Sequence, residues 1–195
     1  MKRDYIWLFF IAGVLFVAAL VGAHAQAQTH LHNSTYDVKY DAGINSPIEV
    51  RWVITPATLV PRVARTNIKF RSDTRLPSPR VLDSDFTRSG YQRGHLCPAA
   101  DRVFSLEAMR ETFLLSNISP QSPKLNMGLW KSTEVISRGI ATTFGRCSVV
   151  TGPIFFDANY KFIGKNRVAV PDAFFKVSWC PGRAESVKIW CIENK

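Results

Sequence analysis

Strand-like apolar residues recur along "IEVRWVIT" and "TNIKFRS", where one face of each segment could be buried. The next stretch, "RSDTRLPSPRVLDSDFTRSG", is dense in arginine, aspartate, serine and proline and reads as a loop. Helical periodicity takes over in "SLEAMRETFLL", stops at the turn "SNISPQSP", and resumes in a second helix expected over residues 123–138, with Gly139 ending it. Strand patterns return in "CSVVTGPIFF" and "YKFIGKNRVAVP", after which "FFKVSWC" and "SVKIWCI" flank "PGRAE" as the arms of a hairpin. Strands, then helices, then strands predict an α+β fold rather than a doubly wound one. Residues 26–48 are polar and turn-rich and are expected to form a flexible lead-in to a domain over residues 49–195.

The second helix can be projected at about 100° per residue. Leu125, Leu129 and Ile136 then share an arc of about 40° that should face the core. Asn126, Trp130 and Glu134 form the neighbouring stripe, so an amide and a carboxylate about two turns apart can reach one site. Lys124, Lys131 and Arg138 recur on the next arc, a basic row that could attract phosphates or simply face water.

Composition sets the context for that row. The 195 residues carry 46% hydrophobic side chains, enough for one domain with a real core, and a formal charge of +10. Such a balance favours a polyanionic partner: nucleic acid, an anionic membrane surface or an acidic polysaccharide. The N-terminus has a basic start at Lys2 and Arg3, an uncharged apolar run and small residues at Ala23 and Ala25. Residues 1–25 therefore read as a signal peptide of a secreted or periplasmic protein, or as a membrane anchor if uncleaved. Removing them leaves +9, because Lys2, Arg3 and Asp4 go together.

An oxidising compartment would permit disulfides among Cys97, Cys147, Cys180 and Cys191, which allow three complete pairings. A simple hairpin register places Cys180 near Ser186 and Cys191 near Phe175, about five residues or 16 Å apart along the ladder, which argues against a 180–191 bridge. No C-x-x-C occurs and only Cys97 sits near His95, so the pattern is not that of structural zinc. His30 and His32 lack further ligands nearby and read as surface residues.

The one histidine beyond position 32 is His95, within "YQRGHLCPAADR". A histidine beside Arg93, in a basic domain and upstream of a helix presenting Asn126 and Glu134, supplies the parts for phosphodiester hydrolysis: base, metal ligand and phosphate-binding cation. "GYQRGHLCPAADR" resembles the signature of the DNA/RNA non-specific endonucleases, which reads Asp-Arg-Gly-His. The likeness continues through "TFLLSNISPQ", "LNMGLWKSTE", "VVTGPIF" and "IGKNRVAVPDAFFKV". It implies the ββα-metal, or His-Me finger, core with mixed antiparallel sheet and flanking helices, in which a strand carries the histidine and a following helix the metal-binding asparagine.

Carried over residue by residue, the resemblance makes His95 the general base and Asn126 the direct ligand of Mg²⁺, with Mn²⁺ an alternative. Arg93 becomes a phosphate-binding cation, Glu134 holds metal-bound water, and Asn117 helps position the site. Arg71 and Arg75, on the loop before the signature, are candidates for a further phosphate contact, beside Lys124, Lys131 and Arg138. DNA and RNA are the implied substrates, with an inhibitor protein as a further partner. The signature's leading aspartate is Gln92 here, and the chain stops at "CIENK", short of where family members usually end. Both features favour the alternative of a nucleic-acid-binding protein that kept the scaffold and lost turnover. Retention of His95, Asn117, Asn126 and Glu134 favours catalysis. A carbohydrate-active enzyme would need two placed carboxylates, and only Glu134 stands out.

Overall fold

The computed structural model describes residues 28–195, so residues 1–25, expected to be a signal peptide or anchor, lie outside the described residues. A six-stranded antiparallel sheet runs in the order β1-β2-β3-β6-β9-β10. Its strands are β1 (Gln28–His32), β2 (Tyr36–Asp41), β3 (Ser46–Ile54), β6 (Cys147–Ile154), β9 (Ala173–Cys180) and β10 (Arg183–Glu193). Two small antiparallel ribbons, β4 (Gln92–His95) with β5 (Ile118–Gln121) and β7 (Lys161–Ile163) with β8 (Val168–Val170), complete the α+β fold.

The lead-in expected to be flexible contributes two strands of the main sheet. Tyr36, Val38 and Tyr40 alternate inward along β2, and that two-residue period is hidden in the sequence by the polar residues between them. Conversely, "TNIKFRS" forms no strand. Asn67 adopts φ 60°, which turns the chain, and only Arg71 pairs, in an isolated bridge to Leu114.

Helix α1 (Leu106–Glu111) starts at Ser105, whose side chain accepts from the Ala108 N–H. The second helix begins as a short turn over Pro123–Leu125, passes through a π-helical segment over Asn126–Trp130 with a kink at Gly128, and continues as α2 (Lys131–Phe144). It ends at Gly145, in the left-handed conformation with φ 78°, rather than at Gly139, where the backbone remains helical. The π segment breaks the uniform 100° step on which the projection rested. Leu125 is buried as expected, but Leu129 and Ile136 are exposed, and the inward face consists of Trp130, Thr133, Ser137, Ile140 and Ala141.

That face packs on β9. Trp130 meets Phe174 at 5.3 Å between ring centroids, and the Ser137 and Ser178 hydroxyls lie 2.7 Å apart. The main core fills the space between sheet and helix with Val38, Val50, Ile54, Leu96, Val149 and Phe174 among its members. A second apolar cluster, including Phe86, Ile118, Ile163 and Val168, supports the β4–β5 ribbon from the other side.

Candidate active site

The ribbon explains much of the local sequence. Gly94 pairs with Ser119, and a Cβ at Gly94 would run into the buried Gln121 side chain, so only glycine fits between Arg93 and His95. Residues 93 and 95 lie two apart on a strand and share one face. The chain after His95 is fixed by Asn117, which is fully buried: its Oδ1 accepts from the Cys97 N–H, and its Nδ2 donates to the carbonyls of Cys97 and Thr112, all at 2.9 Å. The Trp130 indole N–H donates to the His95 carbonyl at 3.1 Å, tying the helix to the strand.

The His95 imidazole packs between Phe70 and Phe113, with ring centroids 5.4 and 5.0 Å away. Its Nε2 is buried and meets no hydrogen-bonding partner among the described residues. Burial, reinforced by the Arg65 charge, pushes its pKa down to about 3, so the ring is neutral at ordinary pH. A neutral imidazole with an unpaired nitrogen can take a proton.

Asn126 stands at the start of the π segment and donates from Nδ2 to Gln92 Oε1 at 2.8 Å. With the NH₂ group engaged, Oδ1 is the atom left for a hard cation. No cluster of three His, Cys, Asp or Glu side chains suited to a metal occurs among the described residues, so a metal here would rely on the amide oxygen, water and substrate. Glu134, one turn beyond Trp130, is largely buried, with its carboxylate 3.9 Å from the Arg138 guanidinium. Burial pushes its pKa up, while the Lys176 ammonium is the chief influence holding it down. Lys176 is itself wholly buried on β9, with Nζ 4.0 Å from the Trp130 ring centre and no hydrogen-bond partner among the described residues. Burial lowers its pKa to about 8.

The proposed phosphate contacts divide. Arg93 lies beside His95 but pairs with Asp83, through Nε at 2.5 Å and through a bond to the Asp83 carbonyl at 2.7 Å. With Lys69, Phe70 and Asp83 it lines an open cavity of about 350 Å³. Arg71 and the lysines at 124 and 131 are exposed. Two expected cations are committed elsewhere. Arg75 binds Asp73, the His32 carbonyl and Asn33, which fastens the loop to β1. Arg138 turns inward to the buried Asp101 at 3.0 Å, whose other oxygen accepts from the Trp52 indole. Helical spacing put Arg138 in a row with the lysines, but an ion pair to a buried carboxylate outweighs exposure there.

Sequence reading missed Arg65, exposed and stacked on Phe113 at 5.1 Å, the aromatic pair around His95, and Lys176. Arg65 stands in a basic stretch, "PRVAR", which was the available signal. Nothing local distinguishes Lys176 in "FFKVSW" from any strand lysine.

Residues 18–194 match the family described as DNA/RNA non-specific endonuclease. The chain belongs to that family. Among curated relatives it is 36% identical over 154 residues to mitochondrial endonuclease G of Bos taurus, covering 74% of this chain and 52% of that protein. It is 38% identical over 152 residues to the mitochondrial nuclease of Saccharomyces cerevisiae, covering 71% and 46% respectively. The chain thus spans about half the length of these relatives. A solved crystal structure of the EndoG/EndoGI complex, which addresses the mechanism of EndoG inhibition, aligns with a TM-score of 0.80 at 26% identity over 92% of this chain and 80% of that one. The ββα-metal expectation agrees with this likeness. The expected secreted or periplasmic location does not hold, because these nuclease relatives are mitochondrial proteins.

Proposed function

We propose that this endonuclease-family chain hydrolyses phosphodiester bonds of DNA and RNA, with little sequence preference and with Mg²⁺ or Mn²⁺ as cofactor. One observation carries the reading: the four-residue strand β4 holds the unpaired, neutral imidazole of His95 at one end and anchors the amide of Asn126 through Gln92 at the other. A base and a hard oxygen donor are thereby fixed on one rigid element. A binding protein needs neither.

In this reading His95 Nε2 accepts the proton of the attacking water, and Asn117 keeps the strand end that carries it in place. Asn126 Oδ1 would hold the metal, with Glu134 gripping its water, and the bound cation would stabilise charge on the phosphate and the leaving 3′-oxygen. Arg93 neutralises a substrate phosphate by exchanging part of its contact with Asp83. Arg71, Lys124, Lys131 and Arg65 draw the backbone in without reading bases. By analogy with the EndoG/EndoGI complex, an inhibitor protein is a further partner.

The deciding experiment is incubation of the chain with plasmid DNA and with RNA, with Mg²⁺ or with chelator. Metal-dependent fragmentation of both supports the proposal. Tight binding without cleavage at any metal concentration would favour the scaffold that lost turnover.

A further inference from the structure

Outside the site, two thiols face each other across the sheet. The β6–β9 ladder pairs Val149 with Ser178 and Ser148 with Trp179, so the next rung sets Cys147 opposite Cys180. The Cys180 N–H donates to Ser186 Oγ at 2.7 Å, and the Cys180 carbonyl faces the same hydroxyl at 3.4 Å, whose proton goes to the Arg183 carbonyl at 2.6 Å. Both backbone groups of Cys180 therefore point toward β10 and away from β6. That makes the 147–180 rung a non-hydrogen-bonded pair, the kind in which Cα atoms approach to about 4.5 Å and side chains stand closest. Such a separation falls within the roughly 4.4–6.8 Å that a disulfide spans.

Both side chains lie on the face covered by α2. Ser178, on the same face as Cys180, meets Ser137 of that helix, and Cys180 Sγ lies 3.8 Å from the Phe144 carbonyl. All four cysteines are free thiols, but the other two are badly placed for this pair. Cys97 is held by Asn117 at the end of the β4–β5 ribbon, and Cys191 pairs with Phe175, five residues along β9 from Cys180.

We propose that Cys147 and Cys180 form a cross-strand disulfide on exposure to a small-molecule disulfide such as glutathione disulfide. Cys180, at 8% exposure beside the Pro181–Gly182 turn, is the more accessible, whereas Cys147 is fully buried. The Cys180 thiolate attacks one glutathione sulfur, breaking the glutathione S–S bond and releasing one glutathione thiolate. The Cys147 thiolate then attacks Cys180 Sγ in the mixed disulfide and releases the second. Two protein thiols are oxidised, one glutathione disulfide is reduced to two thiols, and the two protein protons pass through solvent to the glutathione thiolates. Phe144 is ten residues from Glu134, about 15 Å along the helix, so the bond forms at the far end of α2 from the catalytic residues.

The test uses the full chain, both native and refolded from denaturant, in glutathione buffers of rising oxidised fraction. The protein is then denatured, alkylated, digested and mapped. The expected product is a linked peptide pair carrying Cys147 and Cys180, with Cys97 alkylated. Tm should rise by about 5–15 °C over the reduced protein, and nuclease activity should stay within about twofold, since sites more than about 10 Å apart with no shared partners usually act independently. Cys147→Ser should remove the linked pair, and Cys191→Ala should leave it unchanged. Recovery of Cys147 and Cys180 as free thiols in both arms, or a pair that includes Cys191 or Cys97, would overturn the proposal.

Discussion

Gln92 Oε1 accepts a 2.8 Å hydrogen bond from Asn126 Nδ2, so the residue that departs from the family signature is the one that orients the proposed metal ligand. A neutral amide does this as well as a carboxylate does geometrically, because the bond needs only an acceptor. What glutamine cannot supply is negative charge near the cation. Gln92→Ala should therefore raise the Mg²⁺ concentration for half-maximal cleavage by roughly 2- to 10-fold, the worth of one hydrogen bond. Asn126→Ala should raise it much further. Metal titrations of cleavage check this, and an unchanged requirement in Gln92→Ala would show that the amide is oriented by something else.

Removing the base should have a larger effect. His95→Ala should lower kcat by about 10²- to 10⁴-fold. Because the ring fills a cage between Phe70 and Phe113, alanine leaves a cavity there, so His95→Gln is the companion variant. Both should bind nucleic acid in gel-shift assays with affinity near that of the parent. Turnover at the parent rate in either would remove His95 from the mechanism.

Arg138 and Lys131 look equivalent on a helical wheel and should behave oppositely. Arg138 bonds the buried Asp101, whereas Lys131 is exposed. Arg138→Ala strands a buried carboxylate and should cost about 1–3 kcal/mol in urea unfolding. Lys131→Ala should leave stability nearly unchanged and reduce the salt dependence of DNA binding by about one unit of slope. A stable Arg138→Ala with weakened DNA binding would restore the continuous basic row.

This pair also shows how far the sequence could be read. Strand, helix and hairpin patterns located most of the later strands, the helix and the register in which Cys191 faces Phe175, since each depends on local period and turn chemistry. The β4–β5 ribbon escaped them, because β5 lies inside the segment "SNISPQSP" that reads as a turn. His95, Asn117 and Asn126 were legible through the motif. The helix phase after Gly128 was not, because a π segment adds a rotation that leaves no mark on residue type. Nor were the partners of Arg75 and Arg138 visible, because they are set by which distant carboxylates the fold buries beside them. The strands before Ser46 were obscured for a related reason: β2 has only three buried side chains among polar neighbours.

The depressed pKa of His95 makes a prediction of definite sign. Folding lowers it from the ordinary 6.5 to about 3, so between those values the unfolded chain binds a proton that the folded one excludes. The stability linked to this residue is fully present above pH 6.5 and is lost as pH falls toward 3. Urea unfolding of the parent and of His95→Gln, run in parallel at pH 7.5, 5.5 and 4.5, isolates that contribution, because the other titrating groups are common to both chains. The parent should lose stability relative to the variant at each step downward. The same burial keeps the imidazole neutral, so its ¹⁵N signals should remain those of an unprotonated ring at pH 5.5. A constant stability difference across the series, together with a ring half-protonated near pH 6.5, would mean that water reaches Nε2 and that His95 works from a hydrated rather than an enclosed position.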